Sequence, residues 1–153
     1  MVVVLLIGIT VTLIALNLER DIDQVAEQEA RRFAALVEHL RDESILTGRL
    51  HGIEVDEPER RYKFLRFDKK WLPVEQDDSF RPRVIPDYLN IQFNAGPNQN
   101  AGQDQKDNTL VVVDALGEIQ PFFLTIIGKD FEYVVNLNSN QNVEVERKPH
   151  EEG

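Results

Sequence analysis

Residues 1–47 are compatible with one uninterrupted helix, because they contain no proline and their single glycine is Gly8. No charged residue occurs before Glu19. As a helix, residues 1–18 extend about 27 Å at about 1.5 Å per residue, slightly less than the about 30 Å of hydrocarbon that a spanning helix crosses. The run has neither the preceding basic stretch nor the cleavage site of a secretory signal. We therefore predict that residues 1–18 form the apolar half of a longer helix, placed in lipid or among other apolar helices.

Residues 19–48 continue this helix with one apolar face. Apolar residues recur at steps of three and four, which is typical of an amphipathic helix. Between them lie charged residues that we interpret as a solvated face, among them Asp23, Glu38 and Arg41. Gly48 is expected to end the helix, because glycine adopts the left-handed conformation at little cost. The apolar face is expected to pack on a sheet, and it consists of Ile22, Val25, Ala26, Phe33, Leu36, Val37 and Leu40.

Residues 49–148 have the apolar patterns of β-strands. The alternation slips at Phe64-Leu65, which predicts a bulge. The nearly continuous apolar runs 110–113 and 122–127 predict two central strands. The predicted strands are 51–56, 61–68, 71–74, 89–93, 110–113, 122–127, 131–137 and 143–147.

Two segments do not have the pattern of a helix or a strand. Residues 94–108 contain no apolar residue larger than alanine, which predicts a long, mobile surface loop. Residues 149–153 are expected to form a disordered tail. The sequence as a whole predicts an α+β fold, in which a long N-terminal helix packs its amphipathic second half on antiparallel sheets.

The composition excludes several classes of protein. There are no cysteines, which excludes a disulfide scaffold, a thiol nucleophile and a thiolate metal site. The formal net charge is −10, from 27 acidic and 17 basic residues. An acidic chain repels phosphate backbones, and we identify no basic patch that would favour nucleic acid.

The sequence predicts no catalytic residue, no metal site and no cofactor. We interpret His39 and His51 as surface histidines, since no third ligand has a matching spacing. The acidic residues of 54–59 lack the spacing of a calcium loop and are interpreted as a solvated turn. Asp104 and Asp107 in the polar loop are a weaker calcium candidate that we do not adopt. No serine lies in a nucleophile elbow.

Three segments of the chain together form a recognisable pattern: VVVLLIGI, EARRFAALVEHLRDESILTGRLHGIEVD and YKFLRFDKKWLPV. In the second segment, a predicted helix ends in Ser-Ile-Leu-x-Gly-Arg and is followed at once by a Gly-Ile-x-Val strand. These segments resemble the minor pseudopilins of bacterial type II secretion systems, specifically the H-type subunit, of which that helix end and strand are characteristic.

The resemblance implies a structural subunit near the tip of a short periplasmic pseudopilus that drives the export of folded proteins. It implies a single-pass anchor in the bacterial inner membrane, with the C-terminal domain in the periplasm. The implied partners are the other minor pseudopilins, the major pseudopilin and the inner membrane, and neither nucleic acid nor a small-molecule substrate. The family's basic leader, N-terminal phenylalanine and polymerisation glutamate would precede Met1, so we expect the reading frame to continue upstream.

The apolar half of the helix is expected to pack in the membrane or in the core of a filament. Both surroundings are apolar, so transfer between them costs little hydrophobic energy, and small residues allow helices to approach closely. The residues predicted to make this packing are Val4, Ile7, Gly8, Val11 and Ala15.

Two other functions remain open at the level of sequence. One is a minor pilin of a type IV pilus, of the related T-type that can take part in DNA uptake. The other is a periplasmic enzyme tethered to the membrane. A basic stripe on the sheet domain would favour the first, and a buried catalytic constellation would favour the second.

Overall fold

The long helix ends where the sequence predicts. In the computed structural model, which describes the backbone of residues 2–96 and 109–151 and the side chains of 21–96 and 109–151, helix α1 spans Val2–Thr47. Its 46 residues extend about 70 Å at the standard rise. Gly48 follows with φ of 64°, and its N–H donates to the Ser44 carbonyl at 2.9 Å. The left-handed glycine therefore satisfies one of the carbonyls that the helix end leaves free.

Nine strands form two antiparallel sheets within the described part of the chain. The strands are β1 (His51–Asp56), β2 (Arg61–Asp68), β3 (Lys70–Pro73), β4 (Arg83–Val84), β5 (Asn90–Ala95), β6 (Leu110–Val113), β7 (Phe122–Ile127), β8 (Phe131–Leu137) and β9 (Val143–Pro149). Sheet A has the order β3-β2-β1-β6, with the short β4 also paired to β2, and sheet B has the order β5-β7-β8-β9. The α+β fold is therefore confirmed.

The core lies where α1 meets both sheets. Phe33, which is fully buried, makes edge-to-face contacts with Tyr62 of sheet A at 5.0 Å and with Phe122 of sheet B at 5.9 Å between ring centroids. The helix packs mainly on β7, β8 and β9, and it also contacts β1 and β6. One aromatic side chain of the helix thus joins the two sheets, and such ring pairs add to the stabilisation that burial provides.

The predicted bulge at Phe64-Leu65 is wrong. The pairing of β2 with β1 is continuous from His51↔Arg66 to Asp56↔Arg61. Phe64 and Leu65 are both buried because the two faces of this strand are both covered. Leu65 lies opposite Gly52 on the outer face, where the Trp71 ring lies so close that a Cβ on Gly52 would be 3.1 Å from it.

One of the two predicted central strands is an edge strand. β7 lies between β5 and β8, as predicted for a continuous apolar run, whereas β6 ends the strand order of sheet A. The free edge of β6 is covered by the chain that follows it, since Gln120 N donates to the Val112 carbonyl at 3.0 Å and Val113 bridges to Ile119. A short covering segment therefore explains an apolar edge strand.

Most of the predicted polar loop and part of the predicted tail lie outside the described residues. Asn94 and Ala95 of that loop belong to β5, and 97–108 are not described. At the other end, β9 includes Pro149, and the His150 N–H donates to the Asp130 carbonyl at 2.8 Å.

Candidate functional site

The structure places the predicted packing face of the helix against the sheets. Five of its residues belong to the buried core, and Ile22 and Val25 are partly buried against that core. The predicted filament-packing residues Val4 to Ala15 lie in α1, but their side chains are outside the described residues. The five core residues are Ala26, Phe33, Leu36, Val37 and Leu40.

Asp23 attaches the start of the described helix face to sheet B. Its carboxylate accepts hydrogen bonds from the backbone N–H groups of Lys129 at 2.8 Å, Asp130 at 3.2 Å and Phe131 at 3.3 Å, which form the turn between β7 and β8. A side chain on Gly128 would collide with Asp23 Oδ1. Hydrogen bonds to a carboxylate are stronger than neutral ones, so this turn is firmly held against the helix.

Glu38 and Arg41 attach the helix to the other end of β8. Glu38 Oε1 accepts from the Val143 N–H at 3.0 Å, and Glu38 Oε2 pairs with Arg41 Nη1 at 2.9 Å. Arg41 also donates to the carbonyl of Gln141, a residue with φ of 65° in the turn between β8 and β9. Both turns that flank β8 are thus bound by charged side chains of the helix.

The interpretation of Asp23, Glu38 and Arg41 as a solvated face is therefore incomplete, since these partly exposed side chains also bind the sheet. Each binds a turn more than ninety residues away in sequence. Gly128 and the asparagine-rich stretch 138–142 were recognisable as turns, but helical periodicity does not reveal which turn a charged side chain reaches. Because these contacts attach sheet B to the helix, we expect sheet B to move with the helix when the helix is displaced.

His51 is buried at the far end of the helix, contrary to its prediction as a surface histidine. It is 3% exposed, and its Nδ1 lies 2.8 Å from Ser44 Oγ and 3.1 Å from the Arg49 carbonyl. Burial lowers the pKa of His51 below its ordinary value of 6.5, and the carbonyl contact opposes that change. The alternation with Ile53 and Val55 was the sequence signal, since residues two apart share a strand face.

A cavity of about 360 Å³ opens beside His51. Its walls come from the end of α1, the start of β1, the middle of sheet A and the segment after β3. The residues that contribute charge are Glu43, Arg49, His51, Arg66 and Glu75, and Thr47, Val74 and Gln76 complete the lining.

His39 is exposed, as predicted, and it orders a loop. Its ring stacks on Phe80 at 4.7 Å, and its Nε2 lies 3.0 Å from Asp77 Oδ2. The backbone N–H of Ser79, followed by His39, lowers the pKa of Asp77 to about 2. This cluster fixes the short 3-10 turn Asp78–Phe80, whose Phe80 enters the core.

The acidic residues of 54–59 are engaged in local contacts. Asp56 accepts from the Glu59 N–H at 3.1 Å, and Glu57 accepts from the Phe93 N–H at 3.1 Å. Glu54 pairs with Lys63 at 3.3 Å. Among the described residues, no three His, Asp or Glu side chains are grouped so that they could hold a metal ion. Asp104 and Asp107 lie outside the described residues.

Two relatives match most of the chain in sequence. Type II secretion system protein H of Aeromonas hydrophila is 25% identical over 146 residues, which cover 84% of this chain and 76% of the relative. Type II secretion system protein H of Pseudomonas aeruginosa is 29% identical over 141 residues, covering 82% and 77%. No family model matches the sequence.

A solved structure agrees with these relatives. The minor pseudopilin EpsH from the Type 2 Secretion System of Vibrio cholerae superimposes with a TM-score of 0.65 at 26% identity, covering 79% of this chain and 95% of EpsH. In both sequence and fold, the chain is similar to GspH-like minor pseudopilins.

The chain also shares its fold with a pilus subunit. The type IV minor pilin FimU of Pseudomonas aeruginosa superimposes with a TM-score of 0.53 at 14% identity, covering 86% of this chain and 94% of FimU. At that identity the likeness concerns the fold alone.

Across the described residues of the chain, no helix has the length and the apolar character that crossing a membrane requires.

Proposed function

We propose that this chain is a minor pseudopilin, a structural subunit of the type II secretion pseudopilus that takes part in the export of folded proteins across the outer membrane. The observation that carries the proposal is the joint match in sequence and fold. The alignments with two type II secretion H proteins cover 84% and 82% of the chain, and the superposition on EpsH covers 79% of the chain and 95% of EpsH.

The way in which the helix is attached supports a structural role. Asp23 binds the turn before β8, while Glu38 and Arg41 bind the turn after it. A subunit that joins a filament through its N-terminal helix must pass force from that helix to its domain. Three charged attachments along the helix, together with Phe33 in the core, provide that connection.

The proposed location is the inner membrane with the β-rich domain in the periplasm. The apolar run 1–18 would lie in the membrane before assembly and among the helices of neighbouring subunits afterwards. In this proposal residues 19–48 connect the anchor to the domain formed by 49–148, and 149–153 form its tail. The proposed partners are the other minor pseudopilins and the major pseudopilin.

Catalysis is not part of the proposal. Ser44 and His51 are in hydrogen-bond contact, which superficially resembles a nucleophile and its base. Ser44 is fully buried, however, so a substrate carbonyl could not approach its hydroxyl. The contact instead joins the end of α1 to β1.

Deletion of the gene in the source bacterium tests the proposal. A protein that the type II system normally exports should accumulate in the periplasm of the deletion strain, and a plasmid copy of the gene should restore its export. Pilus-dependent motility and DNA uptake should be unchanged. If export is normal and motility or DNA uptake is lost, the chain serves a type IV pilus instead.

A further inference from the structure

We propose that the cavity beside His51 is a binding pocket for one carboxylate group carried by a neighbouring protein subunit. The identity of that neighbour as a pseudopilin rests on the proposed function, whereas the chemistry of the pocket does not. The pocket lies at the end of α1 that is farthest from the apolar run. There it is framed by Arg49 before β1 and Arg66 of β2.

Two guanidinium groups in the pocket make no direct ion pair with the described residues. Within the described part of the chain, the side chains of Arg49 and Arg66 form no hydrogen bond and no ion pair. Arg66 is nevertheless half-buried. An arginine fork matches the two oxygens of a carboxylate, so a carboxylate between these residues would satisfy both groups.

His51 presents a third group to the same space. Nδ1 is engaged by Ser44 and the Arg49 carbonyl, whereas Nε2 has no hydrogen-bond partner among the described residues. Nε2 is not sealed from solvent either, although the whole residue is only 3% exposed. Because His51 lines the cavity, a ligand in the cavity would lie beside this residue, and Nε2 is the ring nitrogen left available to it.

The acidic side chains of the pocket limit the charge that it accepts. Glu43 and Glu75 also line the cavity, and neither is within ion-pair distance of Arg49 or Arg66. The two glutamates nearly cancel the two arginines, so one negative charge is accommodated while a doubly charged phosphate meets repulsion. A carboxylate is therefore favoured over a phosphate.

The surroundings of the pocket favour a protein as the source of that carboxylate. Two large apolar side chains that are exposed, Leu46 and Leu50, are adjacent in sequence to Thr47, Arg49 and His51 of the pocket wall. A charged contact beside exposed apolar side chains is the arrangement of a protein interface, whereas a site for a free small anion does not need them.

Proton NMR of the full chain in detergent micelles tests the pocket directly. The chain has three histidines, so the ring signals of His39, His51 and His150 can be assigned by single substitutions. Sodium acetate should shift the His51 signal saturably and raise the pKa of His51, because a bound anion stabilises an imidazolium that donates from Nε2. Sodium chloride at the same ionic strength should not.

Matched variants connect the shift to the two arginines. Arg49→Gln and Arg66→Gln should each weaken acetate binding by about tenfold, and Arg31→Gln, an exposed arginine near the other end of the domain, should leave it unchanged. Arg49 is exposed, so its variant tests the pocket without disturbing the fold. A His51 shift that is linear in acetate, or equal to that caused by chloride, overturns the proposal.

Two further ligands distinguish the sources of the anion. The blocked tripeptide Leu-Asp-Leu should bind about tenfold more tightly than acetate, and the matched Leu-Asn-Leu should not bind. If inorganic phosphate binds more tightly than both acetate and the aspartate peptide, the pocket serves a free anion and the proposal is wrong.

Complementation separates this proposal from the proposed function. In the deletion strain, a gene with Arg49→Gln and Arg66→Gln should restore less export than the Arg31→Gln gene at equal protein level. Normal export from the deletion strain itself would refute the proposed function. Defective export that the double variant fully restores would refute the pocket alone.

Discussion

Asp23 Oδ1 occupies the space that a side chain on Gly128 would need, and it accepts the N–H groups of the turn that follows. The two residues are 105 positions apart in the chain. The contact between helix and turn needs both of them. Glycine lets the turn approach the helix, and the carboxylate then satisfies backbone donors that the turn leaves free.

We expect Gly128→Ala to destabilise the folded chain by about 1–3 kcal/mol, because the added methyl group forces the turn away from the helix. Asp23→Asn should cost about 1.5–3 kcal/mol, since it weakens charge-assisted hydrogen bonds to Lys129, Asp130 and Phe131. Chemical denaturation of the full chain in detergent measures both. Combining the two changes should cost less than their sum, because they disrupt one contact; strict additivity would contradict this coupling.

Phe33→Ala should lower stability by about 3–5 kcal/mol, because it opens a cavity between the two sheets at the contacts with Tyr62 and Phe122. The control is Arg31→Ala, which removes an exposed pair with Glu27 and should change stability by less than about 0.5 kcal/mol. Thermal unfolding distinguishes them. Equal midpoints for the two variants would show that Phe33 does not join the sheets in solution.

Stability should decrease as the pH falls below about 6.5 through the contribution of His51. Its pKa is lowered from 6.5 in the folded chain, so in the interval between the folded value and 6.5 the unfolded chain binds more protons. The contribution is complete above 6.5, is lost through that interval and is constant below it. His51→Gln should flatten this part of the stability profile, whereas His150→Gln should retain it. An unchanged slope in the His51 variant would assign the effect to other groups.

Gly48→Ala should cost about 1 kcal/mol, and Gly48→Asn should cost less. Gly48 has φ of 64°, and a Cβ there would meet no atom within 4 Å, so the penalty comes from backbone conformation alone. Denaturation midpoints should decrease in the order Gly48 parent, Gly48→Asn variant, Gly48→Ala variant. An alanine variant as stable as the parent would indicate that the helix ends differently in solution.

Local patterns in the sequence were sufficient for the elements of the fold. The amphipathic period predicted the buried face of α1 and Gly48 its end, because helix geometry and glycine conformation act over a few residues. Apolar alternation and continuous apolar runs predicted all the described strands except the two-residue β4, and the continuous run of β7 predicted its central position. The segments resembling H-type pseudopilins predicted the similarity to type II secretion H proteins, because they are contiguous stretches of chain.

Only the tertiary structure decided which distant residues meet. Asp23, Glu38 and Arg41 have the sequence pattern of surface charges, and their turn partners are determined by how the sheets are laid on the helix. Leu65 is buried on the outer face of sheet A, where Trp71 of another strand lies over its neighbour Gly52. Strand β6 can be apolar at the edge of sheet A because residues 119–120 cover its free edge. The cavity beside His51 likewise combines the helix end, two strands and a loop. Such contacts depend on the relative placement of whole elements, which is fixed by packing in three dimensions and leaves no periodic signal along the chain.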